Sequence, residues 1–430
     1  MRYRPLILCF FALLLPATAP AAFTDADWSA LGSGMNGDVY ALAPLGSTLY
    51  AGGTFTMAGG SNASRIAQWN GTNWAAVGSG MNGGVSALAA SGGTLYAGGN
   101  FTVAGGLPAS YIAQWNGTNW SALGAGMAGT TYPTIYALAI SGNTLYAGGA
   151  FTAADGNPAN YIAQWNGTNW SALGSGMNGI VYALAISGNT LYAGGNFTTA
   201  GGSNANYIAQ WNGTNWLTLG SGVNGGLVGA LAVFGSKLYV GGNFLTAGGS
   251  NISFFAQWNG SIWSPLGSGV NYPVFALARS GGTLYAGGEF TRAGGNSANF
   301  IAQWNSAAWS PLGSGTEALV NALAISGSTM YVGGNFTGAG AGTPAHYVAK
   351  ASLPVTVSIL TTDGNFGFTN GVFGFDVGGP SGSNVVIQTS TDLQTWAPLQ
   401  TNTLNPSGLL YFSDTQSPAN SQRFYDVVLP

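Results

Sequence analysis

Residues able to do acid–base or nucleophilic chemistry are few in this 430-residue chain. His346 is the only histidine and Cys9 the only cysteine. General-base work needs a group positioned against a reacting proton by partners, and a lone histidine near a strand start reads as a surface or packing residue. Asp25, Asp27, Asp38, Asp155, Glu289 and Glu317 are spread through the first 350 residues without paired spacing. No Ser–His–Asp set and no carboxylate pair can be nominated, so no catalytic residue is expected. The stretch "DGNFG" at Asp363 loosely resembles a calcium loop but lacks further carboxylates and reads as a turn. No metal and no cofactor is expected. The chemistry left to such a chain is recognition.

The elements that would position a recognition site come from a repeat. "LYAGGTFTMAGGSNASRIAQWNGTNWAAVGSG" at 49–80 returns 46 residues later as "LYAGGNFTVAGGLPASYIAQWNGTNWSALGAG" at 95–126, and continues to return. Four strand-like motifs recur in fixed order, seven times each: "VYALA" (from Val39), "LYAGG" (from Leu49), "IAQWN" (from Ile66) and "WSALGSG" (from Trp28). "SGNT" and "NGT" linkers supply the tight, positive-φ turns of hairpins. A four-stranded antiparallel meander repeated seven times predicts an all-β, seven-bladed β-propeller over 23–353. The array opens with an unpartnered fourth-strand motif at Trp28 and stops after a third-strand motif at "HYVAK", 346–350. The motifs balance only if the N-terminal strand completes the last blade and closes the ring, which removes the exposed edges. A solenoid would instead need capping units.

Composition agrees with this reading. The chain is 46% hydrophobic and 13% aromatic but only 4% charged, as expected of sheets buried on both faces. Thirteen of the 14 Trp recur at two repeat positions and are expected in blade packing, the alternative being a stacking surface for sugars. A net charge of −3 with scattered Lys and Arg leaves no electrostatic footprint for nucleic acid. Residues 1–22 carry Arg2 and Arg4, an apolar run from Leu6 to Leu15, and small residues around Ala19–Ala22. They read as a cleaved signal peptide, which places the mature chain outside the cell or at its surface. Cys9 falls inside that leader, so the mature chain has no disulfide. No membrane span is expected in it either.

The order "LYAGG", then "IAQWNGTNWSAL", then "GSGMNG" resembles the kelch repeat, with a glycine pair ending the second strand, an aromatic in the third and a Trp in the fourth. The match covers 28–350. The loop "FTxAGGxxAxYIA" departs from kelch and is similar to the "LYVGGxFT" repeats of bacterial surface proteins. The resemblance implies a propeller and a binding role. Galactose oxidases share the kelch-type propeller, but their copper chemistry needs a Cys–Tyr crosslink and histidine ligands that this chain lacks. Sialidases are propellers too, yet the Asp of their Asp-box is missing from "NGTNW".

Insertions mark where a ligand would sit. "TTYPT" lengthens the connection between fourth and first strands, so that Trp115 and Trp165 stand 50 apart rather than 46. Smaller insertions fall at Gly225–Leu227 and in "GAGAGTPAH" at 338–346. Tyr132, Tyr272 and Glu317 break the "MNGx" consensus in one loop class, and Asp155, Glu289 and Arg292 are rare charges in the other. Both classes are expected on one face, and binding residues favour variable loops on a rigid scaffold. After 353 the repeat stops, and 354–430 carry short strand-like runs that predict a small β-sandwich of fibronectin or immunoglobulin type. The function expected is a secreted, non-catalytic binding or adhesion scaffold, with a monomeric propeller and an unidentified glycan or protein as partner. The alternatives are a structural surface-layer or matrix component and, less favoured, a glycan-acting enzyme using Glu289 or Glu317.

Overall fold

The computed structural model describes residues 23–354, 357–360, 365–369, 372–379, 382–391, 395–405, 408–415 and 423–430. Residues 1–22, expected to be a leader, and Asp363, expected in a turn, lie outside the described residues. The described residues are all-β, with one 3-10 turn among them at Asp25–Asp27. It divides into two compact units, one made of Phe23–Arg279 and Thr283–Leu353 and the other built on Pro354–Pro430. Among the described residues no helix is long and apolar enough to cross a membrane.

The first unit is a propeller-like array of four-stranded antiparallel sheets, seven among the described residues. The first sheet orders Val39–Leu45, Thr48–Gly53, Ile66–Trp69 and Trp74–Ala76 as a meander. Later sheets repeat it. The sheet that starts with Val320–Ser326 continues through Thr329–Gly334 and Val348–Ser352, and its fourth strand is Trp28–Ala30. Trp28 stands opposite Ala351 and Ala30 opposite Ala349. Residues some 300 positions apart in sequence thus complete one sheet.

Three repeated devices tie each sheet to its neighbour. The second strand ends in Gly-Gly because the next sheet's first strand packs directly on it: a Cβ on Gly52 would lie 2.5 Å from Val85 Cγ1, and one on Gly98 2.5 Å from Ile135 Cγ2. Next, the indole nitrogen of each fourth-strand Trp donates to a carbonyl of the preceding sheet's turn, as Trp120 does to Val77 at 2.9 Å and Trp170 to Leu123 at 2.9 Å. These indoles are buried, and all but Trp28 are paired with the third-strand Trp at ring distances of 5.3 to 5.5 Å. They pack blades, and most expose no face for stacking a sugar.

The third device is the residue before each third strand. Tyr111, Tyr161, Tyr207, Phe254, Phe300 and Tyr347 all sit at φ between 62° and 70°, as does Arg65 at 65°. Left-handed backbone at a bulky residue costs about 1–2 kcal/mol. Two backbone bonds offset it: the Tyr161 amide donates to Phe151 at 2.8 Å, and its carbonyl accepts from Gly149 at 3.0 Å, with the same pair in the other sheets. The bent backbone sends the ring into the following sheet's core. Tyr111 packs against the core that holds Leu123, Ile135 and Phe151, and Tyr347 against the one that holds Leu31, Val39 and Phe55.

In the second unit, Val372–Gly378 pairs with Ser358–Leu360, Gly367–Thr369 and Leu409–Asp414, while Asn384–Ser390 pairs with Ala397–Thr403 and Phe424–Val428. Phe375, Val377 and Phe412 of one sheet share a core with Val385, Ile387 and Val427 of the other. Beside that core, the Arg423 guanidinium meets Asp414 Oδ2 at 2.8 Å, and the Tyr425 hydroxyl donates to the same oxygen at 2.7 Å.

Candidate functional site: the loop face

The loops from fourth to first strand and from second to third strand lie together and hold one another. Asn36, in the "MNG" loop, accepts the amides of Thr56 and Met57 at 2.8 Å through Oδ1 and donates through Nδ2 to Thr56 Oγ1 at 2.9 Å. Asn82, Asn178 and Asn271 make the same three bonds. The consensus Asn is therefore a clamp, and the residues that replace or follow it are where repeats differ.

The six candidate residues fall into three loop pairs. Tyr272, Glu289 and Arg292 share one. Asn271 binds the amides of Thr291 and Arg292 at 3.0 and 2.9 Å, and the Glu289 amide donates to Pro273 at 2.9 Å. The Glu289 and Arg292 side chains are exposed. Tyr272 is 54% exposed, its ring stacked on Phe254 at 6.5 Å and 20°. Because Phe254 is one of the left-handed aromatics, a half-buried device props up an exposed ring.

Glu317 belongs to the next sheet's pair. It stands where other repeats have the clamp Asn, and its Oε2 accepts from Thr337 Oγ1 at 2.8 Å. Gly338 makes room for it, since a Cβ there would lie 2.6 Å from the Glu317 carboxyl carbon. Tyr132 and Asp155 share a third pair, joined through Met127–Ala154 and Ala128–Ala153 pairing. The Tyr132 ring is 83% exposed. Asp155 is turned inward: Oδ1 accepts the Ala125 amide at 2.5 Å. The structure thus groups Tyr272, Glu289 and Arg292, places Glu317 in the adjacent sheet, and sets Tyr132 and Asp155 apart.

A further set escaped the sequence reading. In six of the first strands the register skips the residue after the motif's Val or Ile, as between Val39 and Ala41 or Ile135 and Ala137. A bulge re-aims the side chain it carries. The bulged residues are Tyr40, Ser86, Tyr136, Tyr182, Asn321 and Gly229, the last without a side chain to aim, on first strands that mostly lie against one another in sequence. Tyr136 and Tyr182 meet at 5.1 Å. Burial, then the neighbouring Tyr136, pushes the Tyr182 hydroxyl up; burial, then the Asp38 charge, does so for Tyr40, whose hydroxyl donates to Asp38 Oδ2 at 3.1 Å. The Tyr40 and Tyr182 phenols thereby stay neutral and can both donate and accept. The signal was present: the second letter of "VYALA" varies among Tyr, Ser, Gly, Phe and Asn while its neighbours hardly change.

Among the described residues, no group of three or more His, Cys, Asp or Glu could hold a metal ion. No family model matches the chain, and no curated protein matches its sequence.

Proposed function

We propose that the first unit is a closed, seven-bladed, kelch-like propeller carried on an exported protein, and that it is a non-catalytic scaffold for binding or adhesion. The second unit is, on this reading, a fibronectin- or immunoglobulin-like spacer. Closure is supported by Trp28–Ala30 completing the last sheet. The partner is a glycan or protein that meets the loop face. The observation that carries this reading is the loop pair holding Tyr272: a half-exposed ring fixed on Phe254, flanked by exposed Glu289 and Arg292, on backbone locked by Asn271. A pre-organised aromatic loses little entropy on binding, which is why such rings dominate interfaces.

The test is binding of the full chain to a broad glycan array and to cell-surface protein extracts, with Tyr272→Ala and Tyr132→Ala alongside. The reading expects binding that Tyr272→Ala weakens by at least about tenfold, the loss of one aromatic anchor. Binding that both variants retain in full would remove the loop face as its seat, and self-association without any foreign ligand would favour a structural matrix role.

A further inference from the structure

The turn after each fourth strand, Leu-Gly-Ser-Gly in most repeats, meets an aspartate in two of the sheets. Asp25 Oδ1 accepts the Ser314 amide at 2.5 Å and Oδ2 the Ser314 hydroxyl at 2.7 Å, and the Ala341 amide also donates to this carboxylate. These bonds, the Ser314 amide foremost, hold the Asp25 carboxyl below its ordinary range. In the second case Asp155 Oδ1 accepts the Ala125 amide at 2.5 Å, with Oδ2 3.4 Å from the Trp170 amide. The two carboxylates come from unrelated places. Asp25 rides on the 3-10 turn before the Trp28–Ala30 strand, and Asp155 stands where other repeats have Gly59, Gly105, Gly201, Gly248 or Gly294. Two independent arrivals at equivalent turns identify what the turn accepts: converging backbone amides, with a serine hydroxyl where serine is present, receive an anion.

Five turns of the same geometry carry no aspartate among the described residues: Gly32–Ser33, Gly78–Ser79, Gly174–Ser175, Gly220–Ser221 and Gly267–Ser268. Their glycines lie at φ 57° to 58°, against 60° and 57° for Gly124 and Gly313 in the occupied turns. All five serines are exposed. The hairpin opposite them offers unequal room: on its first glycine, the position Asp155 holds, a Cβ would lie 2.8 to 3.1 Å from the fourth-strand Trp Cβ, whereas the second glycine faces open space. A Cβ on Gly60, Gly249 or Gly295 would meet nothing within 4 Å, and on Gly106 or Gly202 it would meet first the Ser79 or Ser175 hydroxyl, at 3.8 and 4.0 Å. Hydroxyl and hairpin tip face each other across the gap that Asp25 fills between Ser314 and Ala341.

We propose that these five turns are docking points for the aspartate side chains of an acidic peptide partner. A peptide is favoured because a peptide segment already makes this contact: Phe23 packs edge-on against Trp28 at 5.8 Å while Asp25 enters the turn. Elsewhere the third-strand Trp stands beside the fourth-strand Trp, so only the carboxylate is left to be supplied. With a net charge of −3 the chain offers no long-range attraction. Recognition therefore rests on short-range amide contacts repeated around the array, where several weak sites gain by multivalency. The turns belong to the repeat itself, so this inference does not rest on the variable loops.

The experiment is an amide NMR titration of the full chain with the pentapeptide Phe-Thr-Asp-Ala-Asp, the sequence of residues 23–27. The amides of Ser33, Ser79, Ser175, Ser221 and Ser268 should move, while Ser314 and Ala125, already bonded, stay still. The Phe-Thr-Asn-Ala-Asn peptide should bind about tenfold more weakly, having lost a charge-assisted bond. Gly201→Asp, which places a carboxylate as at position 155, should silence Ser175 alone. If that variant fails to fold, Ser175→Ala should weaken the response at position 175 and leave the other four unchanged. No shift, equal response to the Asn peptide, or movement of Ser314 and Ala125 with the rest would overturn the proposal. So would binding of oligogalacturonate at these turns without binding of the peptide.

Discussion

The indole nitrogen of Trp74 donates to the carbonyl of Leu31 at 2.8 Å. Leu31 follows the Trp28–Ala30 strand, so this bond joins the sheet of residues 39–76 to the sheet of residues 320–352. Trp28 makes the equivalent bond to Leu312 at 3.1 Å. Trp74→Phe keeps most of the ring and removes the donor, leaving the Leu31 carbonyl with the Gly34 amide alone, at 3.2 Å. The expected cost is about 0.5–1.5 kcal/mol, read as a lower denaturant midpoint with an unchanged slope. Trp74→Ala should cost about 3–5 kcal/mol.

Asp155 carries two opposed effects that substitutions can separate. Its φ is 48°, a strained value for a residue with a side chain, while its carboxylate binds the Ala125 amide. Asp155→Ala loses the bond and keeps the strain; Asp155→Gly loses the bond and relieves it. The glycine variant should be the more stable of the two by about 1 kcal/mol. Thermal unfolding of the pair decides this, and equal midpoints would mean that the backbone strain is not felt.

Much of this architecture is legible in sequence, because a sheet period of four motifs repeated with Gly-Gly, Asn-Gly and Trp at fixed offsets leaves few alternatives. Strand order and the partner of Trp28 follow from counting motifs. What could not be read was which polar residues are already spent. Asp25, Asp155 and Glu317 look like free charges in the sequence, yet each accepts a bond from a neighbouring turn or loop. Their partners are set by the spatial neighbourhood of loops up to 289 residues apart, to which local pattern is blind. The bulged tyrosines were hidden for another reason. A period-2 reading assigns Tyr40 a side from its position in the strand, and a bulge reverses that assignment locally.

Alkaline stability should reflect buried phenols. Burial pushes the Tyr285 hydroxyl up to about 12 from 10.0, and burial followed by the Asp414 bond pushes Tyr425 up as well. A raised value in the folded state means that the neutral phenol is bound more tightly there than in the unfolded chain. The stability it gives is complete below pH ~10 and declines as pH rises through the folded value. Unfolding midpoints should hold to pH ~10 and then fall, less steeply in Tyr285→Phe. For Asp25, whose value is lowered, the contribution is present above the ordinary 3.8 and disappears as pH falls through the folded value.

The Arg423–Asp414 pair is nearly buried, at 11% and 4% exposure. Removing one partner strands the other charge, which for buried pairs costs about 3–5 kcal/mol. Asp414→Ala should therefore destabilise the second unit strongly and also release the Tyr425 hydroxyl. Tyr425→Phe, which keeps the ion pair, should cost only about 1 kcal/mol. Near-ultraviolet circular dichroism with denaturant melts of both variants is the check, and equal losses would show that the ion pair has no special weight.

The segment from Phe23 to Ala30 does three jobs for the last sheet. Trp28–Ala30 supplies the fourth strand, Phe23 packs on Trp28 where Ala351 leaves no third-strand Trp, and Asp25 binds the Ser314 turn. Deleting residues 23–30 should bare the edge of Val348–Ser352, with open backbone donors and acceptors and the apolar surface that Trp28 covered. The loss of Trp28 alone would be worth about 3–5 kcal/mol. The truncated chain should melt at lower temperature and sediment as a dimer or larger species, because an exposed strand edge pairs with another copy. A synthetic peptide of residues 23–31 added in trans should restore both the melting temperature and the monomer, whereas a version with Trp28→Ala should not. A truncated chain that stays monomeric and melts as before would mean that the last sheet does not need its fourth strand, and with it the case for a closed array would fall.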